Sequence, residues 1–259
     1  MGGWWAHIHT CMRVCGCAGK DATEICIPQY REGFARLMSA GGGLAFDFCD
    51  WGDAEVRQLA AALMAAHAAG ATTQADTLRL TGNRLTDAAL PPLAEAIEAG
   101  AMPQLKYLSL HRNELTDAGL EALRPLLAGR LSGLEALGFG SRLTAAGVRT
   151  LVALLADGHL AGLEHLHLED NAAMGDEGAA ALAAALAEGR LPKLKVLYLD
   201  KTGMGDAGAA ALAAALGGAP ALEKLVVGGN AFGEDAAEAL KAACRERGVR
   251  AMWDPFDAL

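Results

Sequence analysis

One segment recurs along this chain and governs how it can fold. The segment at 105–123, LKYLSLHRNELTDAGLEAL, returns as LEALGFGSRLTAAGVRTL, LEHLHLEDNAAMGDEGAAAL, LKVLYLDKTGMGDAGAAAL and LEKLVVGGNAFGEDAAEAL, with fainter copies at 77–93 and 44–59. The first apolar residues of the LxL-like pairs are separated by 32, 30, 29, 29, 31 and 28 residues: Phe46, Leu78, Leu108, Leu137, Leu166, Leu197 and Leu225. Repetition at such a period predicts a solenoid, in which each unit buries its apolar face against its neighbours.

Two periodicities alternate inside each repeat. LxLxL has period two, which is typical of a short strand with its leucines facing inward. The segment that follows Asp-x-Gly, such as EGAAALAAALAEG, is rich in alanine and sets Leu182 and Leu186 four apart, which favours a helix. Each repeat is therefore expected to be one strand and one helix. Stacking the repeats predicts an α/β solenoid with a parallel sheet on the concave face and helices on the convex face.

The repeats resemble leucine-rich repeats of the ribonuclease-inhibitor-like class, whose motif is LxxLxLxxNxLxDxGxxxLAxxL. The resemblance covers roughly residues 44–250. The same class builds Ran-GTPase-activating proteins and the sensor regions of NOD-like receptors, and it implies a horseshoe-shaped arc. We expect three parts: a Cys/His/Trp-rich segment with a capping helix at 1–43, about seven repeats at 44–248, and a C-terminal cap and tail at 249–259.

An asparagine follows the strand in four of the repeats. Asn83, Asn113, Asn171 and Asn230 are expected to be buried there, where an amide can satisfy the backbone groups of the turn between neighbouring repeats. Repeat four lacks one residue in this turn, with Arg142 nearest the asparagine position, whereas repeat five gains one and repeat six carries Thr202. We therefore expect irregular turns in this part of the chain.

The outward side chains of the strands and the following turns form the candidate binding surface. Repeat four offers only Ala136, Gly138, Gly140 and Ser141, which predicts a hollow between its neighbours. A depression lined by tyrosine and histidine with mixed charge around it has the composition of a protein-binding hot spot. The predicted partner-binding residues are Tyr107, His111, Arg112, His165, His167, Glu169, Asp170, Tyr198, Asp200 and Lys201.

The stretch LEHLHLEDN at 163–171 also leaves chemical alternatives open. His165 and His167 with Glu169 or Asp200 would be a zinc ligand set of imidazole and carboxylate groups, and acid–base catalysis is a further alternative. Same-face neighbours on a strand are about 7 Å apart, however, so two such imidazoles bind one ion only by leaning together. A recognition surface is the favoured interpretation.

A second candidate for zinc lies near the N-terminus. Its potential ligands are His7, His9, Cys11, Cys15, Cys17 and Cys26. Paired CxxC motifs are absent, so Cys11, Cys15, Cys17 and Cys26 are weak metal candidates beside two alternatives: ordinary buried or free thiols, and lipidation or redox behaviour.

Composition narrows the classes of partner. The chain has 22 Lys and Arg against 31 Asp and Glu, a formal charge of −9, which argues against binding nucleic acid or anionic lipid and favours a basic surface on a protein partner. No apolar run reaches the roughly 18 to 20 residues that span a bilayer, so we expect no membrane insertion. The N-terminus lacks a signal-peptide core. These features predict a cytoplasmic protein, with a ciliary, cytoskeletal or organellar assembly as the alternative.

The sequence favours a non-enzymatic function. It shows no confident Ser/His/Asp or Cys/His constellation and no phosphate-binding GxxxxGK[ST] loop, so we predict no catalytic residues and no cofactor. The first hypothesis is an interaction module or scaffold that binds a protein on its concave face, with a subunit of a large complex as a variant. The alternative is a GTPase activator similar to the Ran-GTPase activators, using Arg79, Arg112 or Asn113, although the long acidic tail of that family is missing.

Overall fold

The structure, a computed structural model, describes residues 42–70 and 73–253. Within them, eight strands form one parallel sheet in which each strand pairs with its neighbours in the sequence. The strands are β1 Gly43–Ala45, β2 Thr77–Arg79, β3 Tyr107–Thr116, β4 Ala136–Arg142, β5 His165–His167, β6 Val196–Tyr198, β7 Lys224–Val226 and β8 Arg250–Met252. This order confirms the predicted α/β solenoid, and we number the repeats by the strands β1 to β7 that open them.

A helix follows each strand from β1 to β7, and helices of successive repeats pack against one another. The helices are α1 Asp53–Ala68, α2 Leu90–Glu98, α3 Asp117–Ala128, α4 Ala145–Ala156, α5 Gly175–Ala187, α6 Asp206–Ala215 and α7 Glu234–Arg247. The hydroxyls of Thr116 and Thr144 accept hydrogen bonds from backbone N–H groups in the first turns of α3 and α4. These caps fix where the two helices begin.

The core lies between the sheet and the helices. In β2 to β7 the second residue of each strand is a leucine that is at most 1% exposed: Leu78, Leu108, Leu137, Leu166, Leu197 and Leu225. Helix residues such as Leu182 and Leu212 are fully buried against them, and small helix residues such as Ala179 and Ala209 are fully buried as well. One repeat cannot enclose such a face, so the apolar core runs continuously from repeat to repeat.

The asparagines form the predicted ladder. Asn113 donates through its amide nitrogen to the carbonyls of Leu80 (2.8 Å) and Leu110 (3.0 Å), and its oxygen accepts from the N–H of Leu85 (3.1 Å). Asn83, Asn171 and Asn230 make corresponding bonds to the preceding repeat. In repeat four Arg142 does not take this position: it is exposed and pairs with Glu114 at 2.9 Å.

A second ladder, which the sequence analysis missed, runs along the N-termini of the helices. Asp117, the first residue of α3, accepts hydrogen bonds from the N–H (2.9 Å) and the hydroxyl (2.6 Å) of Thr144. The same bonds join Asp53 to Thr86 and Asp87 to Thr116. Asp176 and Asp206 accept only from backbone N–H groups of the following repeat. At the start of α4 the position belongs to Ala145, so this ladder is interrupted at repeat four.

The predicted register of repeat one is wrong by two residues. Leu44, rather than Phe46, pairs with Leu78. Phe46 is buried and stacks on Trp51 at 4.4 Å, while Phe48 adopts a left-handed backbone with φ 54° and is 68% exposed. A shift of two residues keeps every side chain on its own face, so the alternation in LAFDF does not distinguish the two registers.

At the C-terminal end of the sheet, β7 is followed by α7 and the short strand β8. Trp253 meets the ring of Phe232 edge-on, with centroids 5.7 Å apart, so it packs at this end. Phe256 and nearly all of the predicted N-terminal segment 1–43, with Cys11, Cys15, Cys17 and Cys26, lie outside the described residues. Across the described ranges, no helix combines the length and apolar character needed to cross a membrane.

Candidate functional site

The small residues of β4 let side chains from β3 and β5 meet above it. The rings of His111 and His167 stack with centroids 5.1 Å apart and planes 8° apart. They lie over Gly138, where a Cβ atom would come within 2.5 Å of His111 Nδ1. The hollow predicted at repeat four is therefore roofed by two imidazoles at this point. Beside them an open depression of about 610 Å³ extends toward repeat one, with Phe48, Arg79, Tyr107 and Ala136 in its lining.

Aromatic and cationic side chains continue this row along the sheet. His167 also stacks on Tyr198, with centroids 4.2 Å apart and planes at 11°. Lys224 Nζ lies 5.2 Å from the centroid of the Tyr198 ring, within cation–π range. The predicted residues His111, His167 and Tyr198 are thus brought together in one stack that spans repeats three to six.

Glu169 lies next to the two imidazoles instead of facing solvent. Its Oε1 is 3.2 Å from His111 Nε2 and 3.4 Å from His167 Nδ1, and the residue is 5% exposed. Its Oε2 is buried and has no hydrogen-bond partner among the described residues. Glu169 lies on the predicted concave face and lines the depression there, but the two imidazoles cover it. Asp200, also expected to be an outward contact residue, is buried as well, at 2% exposure.

Burial sets the protonation states at this cluster. It lowers the pKa of His111 from 6.5 to about 4; the Glu169 carboxylate opposes the shift, whereas His167 and Arg112 add to it. Burial alone would raise the pKa of Glu169, but the hydrogen bond with His167 and the two nearby imidazoles outweigh it and hold that pKa below its ordinary value. The pKa of Asp200 is raised by burial and by the Glu169 carboxylate.

A hydrogen-bonded chain leads from His111 toward repeat one. His111 Nδ1 is 2.9 Å from Ser109 Oγ, which is 2.8 Å from Thr81 Oγ1. The N–H of Thr81 donates to Asp47 (3.0 Å), which is paired with Arg79. These polar residues were not among the predicted site residues. Their signal in the sequence was their outward position on neighbouring strands.

Three predicted residues form a charged rim where the strands end. Arg112 Nε lies 3.0 Å from Asp170 Oδ2, and Lys201 Nζ lies 3.6 Å from Asp170 Oδ1. All three have left-handed backbones, with φ 55°, 61° and 53° for Arg112, Asp170 and Lys201. The Arg112–Asp170 pair joins repeats three and five, as the two histidines do.

Tyr107 and His165 stand apart from the stack. The Tyr107 hydroxyl donates to Glu135 Oε2 at 2.9 Å, and this hydrogen bond raises the pKa of the phenol. His165 is half-buried, and burial lowers its pKa. The zinc set considered from the sequence is wrong in one member, since His111 and not His165 joins His167 and Glu169; the ligand atoms of these three lie within 4.8 Å of one another.

Comparison with known proteins agrees with the repeats. The profile of the family described as Leucine Rich repeat matches residues 102–123, 162–183 and 190–213. The chain therefore carries leucine-rich repeats, and the matched segments leave out β4 with its missing turn residue.

Two solved structures are similar to this chain at low identity. An internalin, inlF from Listeria monocytogenes, is 16% identical, with a TM-score of 0.39 over 70% of this chain and 60% of that one. A chain of the Rad7 and Elc1 complex of yeast is 12% identical, with a TM-score of 0.39 over 81% of this chain and 66% of that one. This chain thus spans less than two thirds of the length of either. No match is found among curated proteins.

Proposed function

We propose that these leucine-rich repeats form a non-enzymatic protein-interaction module that binds its partner in the depression above β1 to β5. The observation that carries the proposal is Phe48, an aromatic side chain 68% exposed at the edge of a depression of about 610 Å³. Aromatic and arginine side chains around an apolar recess are the usual anchors of protein interfaces.

The surroundings of Phe48 favour a preformed site. Its ring lies against the backbone of Gly82, where a Cβ atom would collide with it. Tyr107 is held by Glu135, and Arg79 by Asp47. Side chains already fixed in the free protein lose little entropy on binding, which strengthens association.

The predicted surface is thereby redefined. We place the contact with the partner on Phe48, Arg79, Tyr107, His165 and the exposed edges of His111 and His167, with Arg112, Asp170 and Lys201 at the rim. Buried Glu169 contacts the two imidazoles of that surface. A net charge of −9 favours a partner with a basic surface by accelerating encounter.

Three finer expectations belong to the same proposal. The helices of nine to sixteen residues that follow the strands support the ribonuclease-inhibitor-like class. Membership of a larger complex and a cytoplasmic location rest on the sequence alone. No observation favours the GTPase-activator alternative: Asn113 is buried in its ladder, and Arg79 and Arg112 are paired with carboxylates.

The test is affinity purification of the full chain with quantitative mass spectrometry, followed by measurement of Kd for each specific partner. Phe48→Ala should weaken binding at least about tenfold, as expected when an interface anchor is truncated. Arg149→Ala, on the outer face of α4, is the matched control and should bind as the wild type does. Partners that are all retained by Phe48→Ala would show that the depression is not the binding site.

A further inference from the structure

We propose that His111, His167 and Glu169 form a binding site for a zinc ion on the concave face. The potential ligand atoms are Nε2 of His111, Nδ1 of His167 and a carboxylate oxygen of Glu169, and they lie within 4.8 Å of one another. Zinc binding does not depend on the proposed protein interface, although both use the exposed edges of the two imidazoles.

The distances suit a tetrahedral ion. A zinc ion with bonds of roughly 2.0–2.1 Å holds its ligand atoms about 3.3–3.4 Å apart. Oε1 of Glu169 lies 3.2 Å from His111 Nε2 and 3.4 Å from His167 Nδ1. Two edges of the coordination tetrahedron are therefore already present, and the side chains that supply them come from different repeats.

The second carboxylate oxygen of Glu169 points independently to a ligand. Oε2 is buried without a hydrogen-bond partner in the described part of the chain, on a residue only 5% exposed. Leaving a buried charged oxygen unpaired costs at least about 1–3 kcal/mol, so such atoms in native proteins usually face a donor or a cation. A bound ion would compensate the charge of this carboxylate.

The surroundings prepare the imidazole of His111 for metal binding. Ser109 Oγ lies 2.9 Å from Nδ1, and a proton on Nδ1 donated to this hydroxyl leaves the lone pair on Nε2, the atom nearest Glu169. A hydrogen bond to the second ring nitrogen is the usual partner of a metal-ligating histidine.

The stack of the two rings sets a condition on binding. Their planes are 8° apart, so the nitrogen lone pairs, which lie in the ring planes, do not converge on one point. Coordination requires one imidazole to tilt about its Cβ–Cγ bond. His167 is stacked on Tyr198 and His111 is hydrogen-bonded to Ser109, so the tilt of either ring gives up one of these contacts.

The ligand chemistry selects the ion. Imidazole nitrogens suit zinc and its neighbours, whereas calcium and magnesium prefer sets made wholly of oxygen. Two imidazoles and one carboxylate leave a fourth position for water on the side of the open depression.

The experiment uses the full chain, stripped with a chelator, dialysed, and titrated with Zn²⁺ by calorimetry. His167→Phe removes a ligand but keeps a ring to stack on Tyr198, and Glu169→Gln removes the charge at constant shape. The matched control is His165→Phe, two residues away on the same strand and outside the cluster. Each variant is checked for folding by circular dichroism.

The wild type and His165→Phe should bind one equivalent of Zn²⁺ that His167→Phe and Glu169→Gln lose or bind at least about tenfold more weakly. Any ion held by the N-terminal cysteines stays constant across the series. When Co²⁺ replaces Zn²⁺ at the site that the variants remove, its spectrum should lack the charge-transfer absorption of a thiolate ligand.

Equal binding of Zn²⁺ by all four proteins would overturn the proposal. A loss of Zn²⁺ binding in His165→Phe as large as that in His167→Phe would overturn it as well. If His167→Phe does not fold, Glu169→Gln decides in the same way.

Discussion

At the scale of single residues, the missing side chain of Gly138 allows repeats three and five to touch. Strands β3 and β5 lie two strand spacings apart, about 9.6 Å, which is too far for short outward side chains to meet. The imidazoles of His111 and His167 cross this gap because nothing rises between them from β4. The absence of one Cβ thus determines the arrangement of the whole cluster.

Gly138→Ala should therefore lower the free energy of unfolding by about 1–3 kcal/mol, because the new methyl group overlaps His111 Nδ1 and must displace the ring. Gly133→Ala is the control, since a Cβ atom there meets nothing within 4 Å. Denaturant titration of both variants measures the difference. Equal stabilities would show that the stack adapts without cost.

The buried His111 should make stability depend on pH. Its folded pKa of about 4 lies below the ordinary value of 6.5, so the unfolded chain binds more protons between these limits. Stability is then fully present above pH 6.5 and is lost as the pH falls toward 4, by at most roughly 3 kcal/mol. Chemical denaturation of the chelator-treated protein should show this loss, and it should be smaller in His111→Gln. Parallel curves for the two proteins would contradict the assignment.

The burial of Glu169 could not be read from the sequence. The alternation placed it on the face of His167, but it could not show that the imidazoles of His111 and His167 would cover the carboxylate. The contact between His111 and His167 likewise could not be predicted from the sequence, because the two residues belong to different repeats. The sequence indicated their common face and their proximity to small residues, but not their contact.

At the scale of the elements, two polar ladders hold successive repeats in register. The asparagine ladder satisfies the turns after the strands, and the aspartate ladder joins the N-terminus of a helix to the beginning of the next. The first was predictable because the amide recurs at one position of the motif. The second was not predicted, because an aspartate at the start of a helix does not by itself show that its carboxylate reaches forward to the next repeat.

Asn113→Ala should destabilise the protein by at least about 2 kcal/mol. The change leaves the carbonyls of Leu80 and Leu110 and the N–H of Leu85 without their buried partner. Glu114→Ala, the adjacent exposed residue, removes only a surface ion pair with Arg142 and should cost less than about 1 kcal/mol. Thermal unfolding of the two variants provides the comparison. Similar melting temperatures would contradict a stabilising role of the asparagine ladder.

Asp117→Ala should cost about 1–2 kcal/mol, since it removes the acceptor for the N–H and hydroxyl of Thr144 as well as a favourable charge at the N-terminus of α3. Asp157→Ala, at the C-terminal end of α4, should be neutral or slightly stabilising, because a carboxylate there opposes the helix dipole. A loss of stability for Asp117→Ala without a loss for Asp157→Ala, measured by denaturant titration, would confirm that the position of the aspartate on the helix decides its effect. A neutral Asp117→Ala would refute the ladder.

The register of β1 is a case that apolar periodicity alone cannot decide. LAFDF offers apolar residues at 44, 46 and 48, so two alignments bury the same face. The turn decides between them, because the N–H groups of Cys49 and Trp51 both donate to the side chain of Asn83. That contact places Phe48 at the exposed end of the strand.

At the scale of the whole molecule, stability is distributed through contacts between neighbouring repeats. Leu137 and Leu240 are both fully buried, the first in the middle of the sheet and the second in the last helix. Replacement of either by alanine should cost about 2–5 kcal/mol where the gap does not close. In a stack of repeats, each of these losses of stability should affect the adjacent repeats most.

Hydrogen-exchange mass spectrometry can map these losses. Leu137→Ala should reduce protection mainly in repeats three to five, whereas Leu240→Ala should reduce it in repeats six and seven and leave β1 to β3 unchanged. A uniform loss of protection over the described sheet in both variants would indicate a single cooperative unit instead.

The order of the strands has a consequence for how the chain acquires its structure. Each strand pairs only with the strands that precede and follow it in sequence, so a repeat can pair as soon as its immediate predecessor is in place. During synthesis, each repeat can add to those already made once its own strand and helix have left the ribosome.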